Sequence, residues 1–362
     1  MTPSNECPTG RLLILDGIGG VPLGRELADA FLINGADVEH RDCAALERIP
    51  LYGLRSAVAK AVRGRGEETS YYHLPRSRVA HVEKLLLDYQ PNCVLVIGFA
   101  YKFIDPAQLQ RLKQKLGFSL FLYDTDSCNL YSRRREFIFF LETELPVYDR
   151  IFSFSRVTTD FFCNVRGLDA VHQPFGAAPI STPRAEKPGH DVLFVGSCDL
   201  RRIFLLEHIH ERVSVFGNRW QRHMPLISPA LGARINDRPV WGAALHELFG
   251  DSKIILNITR APFFSVETGI NLRIFEALAA GRLLLTDHCD EVAELLRPGE
   301  EIETYRSAAE LAEKTAYYLA HDEAREAIAL RGHQRFMADY SWQRRAAVML
   351  SQMGIPGSGN VQ

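Results

Sequence analysis

The sequence lacks any long hydrophobic run. No apolar stretch approaches the roughly 18 residues that a membrane-spanning helix needs, and the first residues, MTPSNECPTGR, lack the basic and then apolar pattern of a signal peptide. These absences predict a cytoplasmic protein. Peripheral association with the inner face of a membrane stays open, because an exposed basic and aromatic surface leaves only a weak signal in a sequence.

An excess of one charge sign and a cysteine framework are also missing. The 42 lysines and arginines nearly balance the 44 aspartates and glutamates, so the formal net charge is −2. The sequence therefore carries no electrostatic signature of a nucleic-acid partner, and we predict none. The seven cysteines show neither a C-x-x-C pair nor metal-ligand spacing. We interpret them as small core residues in a reducing compartment.

The dinucleotide-binding fingerprint is absent too. The glycine-rich stretch LDGIGGVPLG, residues Leu15 to Gly24, follows the first predicted strand but lacks the G-x-G-x-x-G spacing. The second glycine-containing loop, in VGSCDLRR from Val195 to Arg202, lacks it as well. This argues against a Rossmann-type dehydrogenase.

Strand-like and helix-like segments alternate along the chain, which predicts an α/β protein with parallel sheets. The length of 362 residues favours two domains. A first series of predicted strands comprises RLLILDG, CVLVIGF, SLFLYDTD, RIFSFS and AVHQPFG. A second series comprises DVLFVGS, VSVFGN, KIILNI, RLLLTD and EEIETY. Between them lies a proline-rich linker candidate, AAPISTPRAEKPGH, from Ala177 to His190.

The strongest binding signal is NLRIFEALAAG, from Asn271 to Gly281. Asn271 is predicted to cap a helix whose first amides, including those of Leu272 and Arg273, stabilise an anion such as a diphosphate. The Arg273 guanidinium adds a charged donor, and Glu276, one turn along, suits a vicinal diol. Together they predict a site for a nucleoside-diphosphate ribose. The alternative is a surface ion pair between Arg273 and Glu276.

Other candidates follow strands, where ligands of open parallel sheets bind. In VGSCDLRR, Gly196 permits close backbone approach, and Arg201 or Arg202 is predicted to contact donor phosphates and stabilise a diphosphate leaving group. The alternative is a surface arginine pair. Arg260 and His288 are predicted to line the same pocket, Arg260 because its strand should abut the Glu276 helix.

The first domain offers carboxylates after its strands. Asp124 and Asp126, in YDTDS, suit acceptor hydroxyls or a general base, and they suit a plain turn equally well. Asp16 is a further candidate base, beside an acceptor-side loop that contains Gly19 and Gly20. The basic and aromatic stretch YSRRREFIFFL, Tyr131 to Leu141, suits a membrane-embedded or anionic acceptor. A helix with one basic turn and one buried face explains that stretch as well.

The motif order N-x-R-x-F-E-A-L-A-A-G-x-x-L-L-T-D, then LLRPGEEI, then YSWQRRA, resembles the C-terminal domain of CgeB-like glycosyltransferases, a group of the GT-B superfamily. The resemblance runs from Asn271 to about Arg345. It implies two Rossmann-like domains facing each other across a cleft, a nucleotide-sugar held by the second, and no metal or other cofactor. YDTDS also resembles an aspartate-rich turn in the first half of such proteins.

The resemblance carries over residue by residue with one departure. Glu276 matches the glutamate that grips the donor ribose in the GT-B group. Many retaining members have two glutamates spaced E-x7-E, but here that spacing falls on Thr268, and Glu267 is one position off. The stereochemical outcome therefore stays open.

We therefore predict an acceptor domain over residues 1–180, a donor domain over 181–340, a helix over 341–353 that crosses back to the first domain, and a disordered tail over 354–362. The predicted function is transfer of a sugar from a nucleotide-sugar to a hydroxyl of a glycan, a glycolipid or a protein. A nucleotide-sugar epimerase and a non-catalytic glycan-binding or surface-assembly protein remain as alternatives. The sequence predicts neither the sugar nor the oligomeric state.

Overall fold

The structure is a computed structural model that describes residues 10–63, 71, 73–181 and 184–356. The chain forms two compact units, one of Met1–Gln173 with Arg345–Gln362 and the other of Pro174–Arg344. Each unit is built around one parallel sheet of six strands with helices packed on it. The predicted α/β class with two Rossmann-like layers is therefore confirmed. In the described part of the chain, no helix is both long enough and apolar enough to cross a bilayer.

The sheet of the first unit has the strand order β2-β1-β3-β4-β5-β6, all parallel. Its strands are β1 Arg11–Asp16, β2 Asp37–Asp42, β3 Cys93–Ile97, β4 Ser119–Asp124, β5 Arg150–Ser153 and β6 Ala170–His172. The helices of the first unit that precede Gln173 are α1 Leu23–Ile33, α2 Tyr52–Arg63, α3 Val79–Tyr89, α4 Pro106–Leu116, α5 Arg134–Phe139 and α6 Arg156–Asp160. Short 3₁₀-helical segments lie at Cys43–Ala45, Ala100–Lys102, Ser127–Leu130 and Leu145–Val147. Short π-helical segments lie at Phe140–Glu144 and Phe161–Val165.

The sheet of the second unit has the order β12-β11-β10-β7-β8-β9, again all parallel. Its strands are β7 His190–Val195, β8 Val213–Phe216, β9 Ile235–Asn236, β10 Ser252–Asn257, β11 Leu283–Asp287 and β12 Glu303–Tyr305. Its helices are α7 Leu200–Glu207, α8 Pro229–Gly232, α9 Ala243–Gly250, α10 Ala261–Phe264, α11 Leu272–Ala279, α12 Asp290–Leu295, α13 Ala308–Ala320 and α14 Asp322–Arg335. Turns lie at Gln221–Leu226 and Phe336–Tyr340.

The central strands explain both cores. Strands β3 and β11 are buried at every residue, because helices cover both faces of a parallel sheet and its strands are then continuously apolar. Amphipathic helices supply the covering layers, and α4 shows their local signals. Asp105 caps its first amides, Pro106 opens it, and Gly117 ends it in the left-handed conformation with φ +76°.

The last helix, α15 Trp342–Gln352, begins in the second unit and is assigned to the first from Arg345 onward. Arg150 of β5 donates a hydrogen bond of 3.1 Å to the carbonyl of Gln352. Ile355 is buried against Gly10, so the ordered chain extends into the segment predicted to be a disordered tail, at least to Pro356. The rest of that predicted tail, residues 357–362, lies outside the described residues.

The predicted linker begins as ordered structure. The Ala177 amide donates to the carbonyl of Tyr340 at 3.1 Å, and the Trp342 amide donates back to the carbonyl of Ala177 at 2.9 Å. Residues 182–183 of this segment lie outside the described residues, as does Cys7. The six described cysteines are free thiols.

Candidate functional site

Three strand ends of the second unit meet around one buried aspartate. Asp287, the last residue of β11, is 2% exposed. Its carboxylate accepts a hydrogen bond from the guanidinium of Arg201 and another from the amide of Thr259, at 2.5 Å. Arg201 also donates to the carbonyl of Thr259 at 2.9 Å. The Arg201 guanidinium therefore ties the start of α7 to the loops after β10 and β11.

Arg201 keeps part of its surface accessible. Its side chain is 20% exposed, and its guanidinium carbon lies 3.8 Å from the centroid of the Phe264 ring. A stacked and ion-paired guanidinium is held in one orientation. Arg201 is thus positioned beside the loop after β10, with one face in reach of solvent.

Arg202, its neighbour, has a different role from the predicted one. It is buried, and it donates to the carbonyl of Ile258 from two nitrogens at 2.8 and 3.0 Å and to the carbonyl of Ser197 at 2.7 Å. Burial lowers the pKa of its guanidinium to about 10. The donors predicted to contact phosphates therefore hold two loops together instead. Gly196 leaves room for these groups, because a Cβ there would lie 2.9 Å from Phe194 Cζ and 3.1 Å from Arg202 Nη1.

The helix at Asn271 forms as predicted. Asn271 is the N-cap of α11, and its side-chain oxygen accepts from the amide of Arg273 at 3.0 Å. Gly281 follows the helix with φ +62°. Arg273 and Glu276 form an ion pair of 2.7 Å, and each side chain is only 12% exposed. The ion pair that was considered as an alternative therefore forms, but it is nearly buried and does not lie on the surface.

The predicted use of the first amides needs correction. The Arg273 amide is taken by the Asn271 side chain, and the Ile274 amide donates to the Asn271 carbonyl at 3.2 Å. Of the predicted amides, only that of Leu272 donates to no other group in the described part of the chain. Of the three backbone amides at this helix end, only one is thus available to an anion.

Positive charge gathers around this helix. Besides burial, the charges of Arg260 and Arg273 lower the pKa of Arg202, which places each of these two guanidinium groups within electrostatic range of Arg202. Arg273 also contributes to the lowered pKa of His246, after burial. Arg260 is partly exposed and forms no ion pair with another described residue. Its uncompensated charge makes this edge attractive to an anion.

Arg273 has an unmet donor as well. Its Nε atom is buried and has no hydrogen-bond partner among the described residues, while its guanidinium carbon lies 5.3 Å from the centroid of the Phe249 ring. A buried N–H without an acceptor costs about 1–3 kcal/mol. A bound acceptor group that reaches this atom would recover that free energy.

His288 lies one residue beyond Asp287 but faces another group. Its Nδ1 is 3.3 Å from the Thr304 hydroxyl, and its Nε2 is 2.5 Å from Arg306. Burial, followed by the charge of Arg306, lowers its pKa. No recorded contact joins His288 to Arg201, Arg273 or Glu276 within the described chain. Its predicted place in the donor pocket stays a prediction.

The E-x7-E position faces a carboxylate that the sequence analysis missed. Thr268 is buried, and its hydroxyl donates to Glu291 of α12 at 2.7 Å. Glu267 is exposed and has left-handed backbone with φ 60°. The nearby glutamate in sequence therefore points to solvent, and the carboxylate beside Thr268 comes from a later helix.

In the first unit, Asp16 ends β1 and is buried. It accepts from the Ile18 amide at 2.9 Å and pairs with His40 Nε2 at 3.1 Å. Burial raises its pKa, partly offset by these two groups. Gly19 and Gly20 follow in an exposed turn, with φ +83° at Gly20.

Asp124 and Asp126 differ in solvent exposure, because the carboxylate of Asp124 is buried and that of Asp126 is partly exposed. Asp124 is 1% exposed and accepts from the Ser127 hydroxyl at 2.7 Å, the Ser127 amide at 3.0 Å and the Ser153 hydroxyl at 3.2 Å. Burial raises its pKa to about 6. These contacts fit the turn alternative. Asp126 is partly exposed and accepts from the side chain of Asn129.

Among the described residues, no group of three or more histidine, cysteine, aspartate or glutamate side chains is arranged to hold a metal ion. The clusters described above consist of arginine–carboxylate and hydroxyl–carboxylate contacts.

The sequence matches one family model over part of its length, and the fold matches solved structures of one architecture. Residues 201–351 match the family model described as Glycosyl transferase-like. The two parallel six-stranded sheets match those of GT-B glycosyltransferases, so the chain has the GT-B fold. No curated protein matches the sequence.

Solved structures resemble the chain over nearly its whole length. HepE of Anabaena, solved with UDP and glucose, is 12% identical, with a TM-score of 0.66 over 95% of this chain and 99% of that chain. Sucrose-phosphate synthase of Thermosynechococcus elongatus is 13% identical, with a TM-score of 0.65 over 94% and 98%. A glycosyltransferase of Rickettsia africae is 12% identical, with a TM-score of 0.60 over 96% and 98%. At these identities the likeness establishes the fold.

Proposed function

We propose that the protein is a glycosyltransferase that moves a sugar from a nucleoside-diphosphate sugar to a hydroxyl acceptor. The observation that carries the proposal is the nearly buried ion pair of Arg273 and Glu276 on helix α11, which follows β10 in the chain. Arg260, which forms no ion pair with another described residue, lies like Arg273 within electrostatic range of Arg202. An anion and a diol fit this arrangement of cations and carboxylate. The glycosyl transferase-like sequence of residues 201–351 supports it, as do the structures of HepE with UDP and with UDP-glucose.

In this proposal Glu276 accepts hydrogen bonds from the ribose hydroxyls. Arg273 holds this carboxylate in a single orientation through a hydrogen bond of 2.7 Å, and a carboxylate is an acceptor suited to paired hydroxyl groups. Arg260, the exposed face of Arg201 and the Leu272 amide bind the diphosphate. Arg202 acts indirectly, because it fixes the loops that carry Ser197 and Ile258.

The transfer balances without a redox partner. The acceptor oxygen bonds to the anomeric carbon, the bond from that carbon to the diphosphate breaks, and the acceptor proton passes to a base or to solvent. Negative charge grows on the departing diphosphate, and pre-positioned guanidinium groups stabilise that charge. Of the predicted bases we retain Asp126 and Asp16, since Asp124 is closed within its own turn.

Several finer features belong to the same proposal. The order of motifs from Asn271 onward supports membership of the CgeB-like group. We further propose hexosyl transfer without a metal ion or other cofactor, at the cytoplasmic side of the cell, with a glycan, glycolipid or protein as acceptor and a role in cell-surface polysaccharide assembly. A chelator should then leave turnover unchanged.

The proposal is tested by a thermal-shift screen of nucleoside diphosphates and their sugars, on the wild type and on Glu276→Ala. Glu313→Gln, an exposed glutamate of α13, serves as the control. We expect one nucleotide to raise the melting temperature of the wild type and the control, and not of Glu276→Ala. No stabilisation of the wild type by any nucleotide would contradict the proposal. Donor turnover without an acceptor would favour an epimerase instead.

A further inference from the structure

A shallow cavity lies in the first unit, near the carboxyl ends of β3 and β4. It has a volume of about 440 Å³ and is lined by Tyr71, Arg133, Arg134, Arg135 and Glu136. These residues belong to the loop after β4 and the start of α5, with Tyr71 alongside, and the turn Ala100–Lys102 that follows β3 packs beside them. Arg133, which is the N-cap of α5, and the first three residues of that helix therefore line the cavity together with Tyr71, which comes from a different segment of the chain.

The floor of this cavity is a fixed hydrogen-bond network. The Tyr101 hydroxyl donates to Glu136, and the Arg133 guanidinium contacts the other oxygen of Glu136 at 3.2 Å. The Glu136 side chain is 11% exposed, while Tyr101 is buried. Below it, the buried Glu144 accepts from the amides of Ala100 and Tyr101, at 2.9 Å each. Tyr101 is thus held from two sides, and Glu136 is held by Tyr101 and Arg133.

The rim of the cavity is positive. Arg134 and Arg135 are exposed and form no ion pair with another described residue, so only Arg133 of this arginine row is compensated. Lys102 adds a further cation. Glu136 and Asp126 both act on its pKa, against the lowering by burial. Lys102 therefore lies within electrostatic range of both the cavity floor and the YDTDS turn.

We infer that this cavity binds a phosphate-bearing sugar, with the phosphate on Arg134 and Arg135 and the sugar hydroxyls on Glu136 and Tyr71. Its role as the acceptor site rests on the proposed function. A carboxylate and a phenol side by side recognise hydroxyl groups, whereas unpaired guanidinium groups recognise a phosphate. A neutral sugar would leave Arg134 and Arg135 without a bound phosphate, and inorganic phosphate alone would leave Glu136 and Tyr71 without hydroxyl groups to bind.

The same chemistry has two sources, a soluble sugar phosphate and the phosphate of a lipid-linked sugar carrier. We would measure binding of glucose 1-phosphate by calorimetry and binding of phosphatidylcholine vesicles, with and without a polyprenyl phosphate, by sedimentation. The variants are Arg134→Ser with Arg135→Ser, and Arg111→Ser as the control. Arg111 is exposed on α4 of the same unit, so its substitution by serine also removes an exposed arginine charge.

We expect at least one phosphate probe to bind the wild type and Arg111→Ser, and the double variant to bind it about tenfold or more weakly. Binding of glucose 1-phosphate would identify a soluble source, and binding only of polyprenyl phosphate vesicles a lipid source. Binding of neither probe, or equal losses in Arg111→Ser and the double variant, would overturn the inference. Nucleotide stabilisation is measured on the same samples, so failure here is separable from failure of the proposed function.

Glu136→Gln supplies a second readout. The amide keeps the shape but replaces one acceptor oxygen by a donor, so we expect weaker binding of glucose 1-phosphate and nearly unchanged binding of inorganic phosphate. Equal effects on both probes would overturn the assignment of Glu136 to the sugar hydroxyls.

Discussion

The two sheets end in similar aspartates with different partners. In the first unit, Asp16 is contacted by a histidine and an amide, and Asp124 accepts hydrogen bonds from hydroxyls and amides. Burial raises the pKa of each carboxyl group. Asp287 of the second unit is paired with an arginine. Asp124 of the first unit is therefore held within its own turn and Asp16 by a histidine of β2, whereas Asp287 of the second unit holds a guanidinium group in place. That difference explains why we assign the nucleotide diphosphate to the second edge.

The largest effect should come from breaking the buried pair of the second edge. Asp287→Ala leaves Arg201 and the Thr259 amide without their acceptor, so we expect a loss of about 3–5 kcal/mol in the free energy of unfolding. Asp16→Ala, the counterpart in the first unit, removes one amide and one histidine contact, so about 1–3 kcal/mol should be lost. Urea denaturation at neutral pH measures both. A larger loss for Asp16→Ala would reverse the contrast between the edges.

The buried acids of the first unit should make its stability depend on pH. Burial raises the pKa of Glu144 to about 7. A carboxyl whose folded pKa is raised adds stability that is full below its unfolded pKa and is lost as pH rises through the folded value. The wild type should therefore lose about 1–3 kcal/mol from this group between about pH 4.5 and pH 7. Urea denaturation of the wild type and Glu144→Gln across this range isolates it, and parallel pH profiles of the two would refute it.

Removal of Arg260, which forms no ion pair within the described part of the chain, should affect binding more than stability. Arg260→Ala should weaken nucleotide binding about tenfold, or about 1.4 kcal/mol, and change the free energy of unfolding by less than about 0.5 kcal/mol. Calorimetric titration and urea denaturation give the two values. Arg111→Ala in the first unit is the matched control and should leave nucleotide binding intact. An equal loss in that control would mean that net charge, and not this edge, attracts the nucleotide.

The smallest effect is expected in the glycine loop of the first edge. Gly20 has φ +83°, so Gly20→Ala should cost about 1 kcal/mol, whereas Gly19→Ala, with open space around its Cα, should change stability by less than about 0.5 kcal/mol. Thermal unfolding of the two variants measures the difference. If both substitutions cost the same, strain at Gly20 would not be what distinguishes this loop.

The sequence predicted most strands because period and composition are local properties. CVLVIGF and RLLLTD became β3 and β11, and Asn271 was recognised as a cap from its place before an apolar helix. The two-residue β9 was missed, because so short a strand has no periodicity. The position of Ile355 was missed because its burial depends on Gly10, far away in sequence.

The sequence predicted which residues belong to the site, but it did not predict which groups those residues contact. Arg201, Arg273 and Glu276 follow from strand ends and helix spacing. Sequence could not show that Arg202 points to backbone carbonyls, since that depends on the loop after β10. Nor could it show that Thr268 faces Glu291, which is contributed by a later helix. Asp287 had a usable signal, as the polar end of an apolar strand.

The central claim is that Glu276 holds the ribose of a nucleotide. It is tested most directly by calorimetric titration of the wild type and Glu276→Ala with the preferred nucleoside diphosphate and with its 2′,3′-dideoxy analogue. The wild type should bind the complete nucleotide about tenfold or more tightly than the analogue, and Glu276→Ala should bind the two equally. If Glu276→Ala keeps the wild-type preference for the ribose hydroxyls, the claim is wrong.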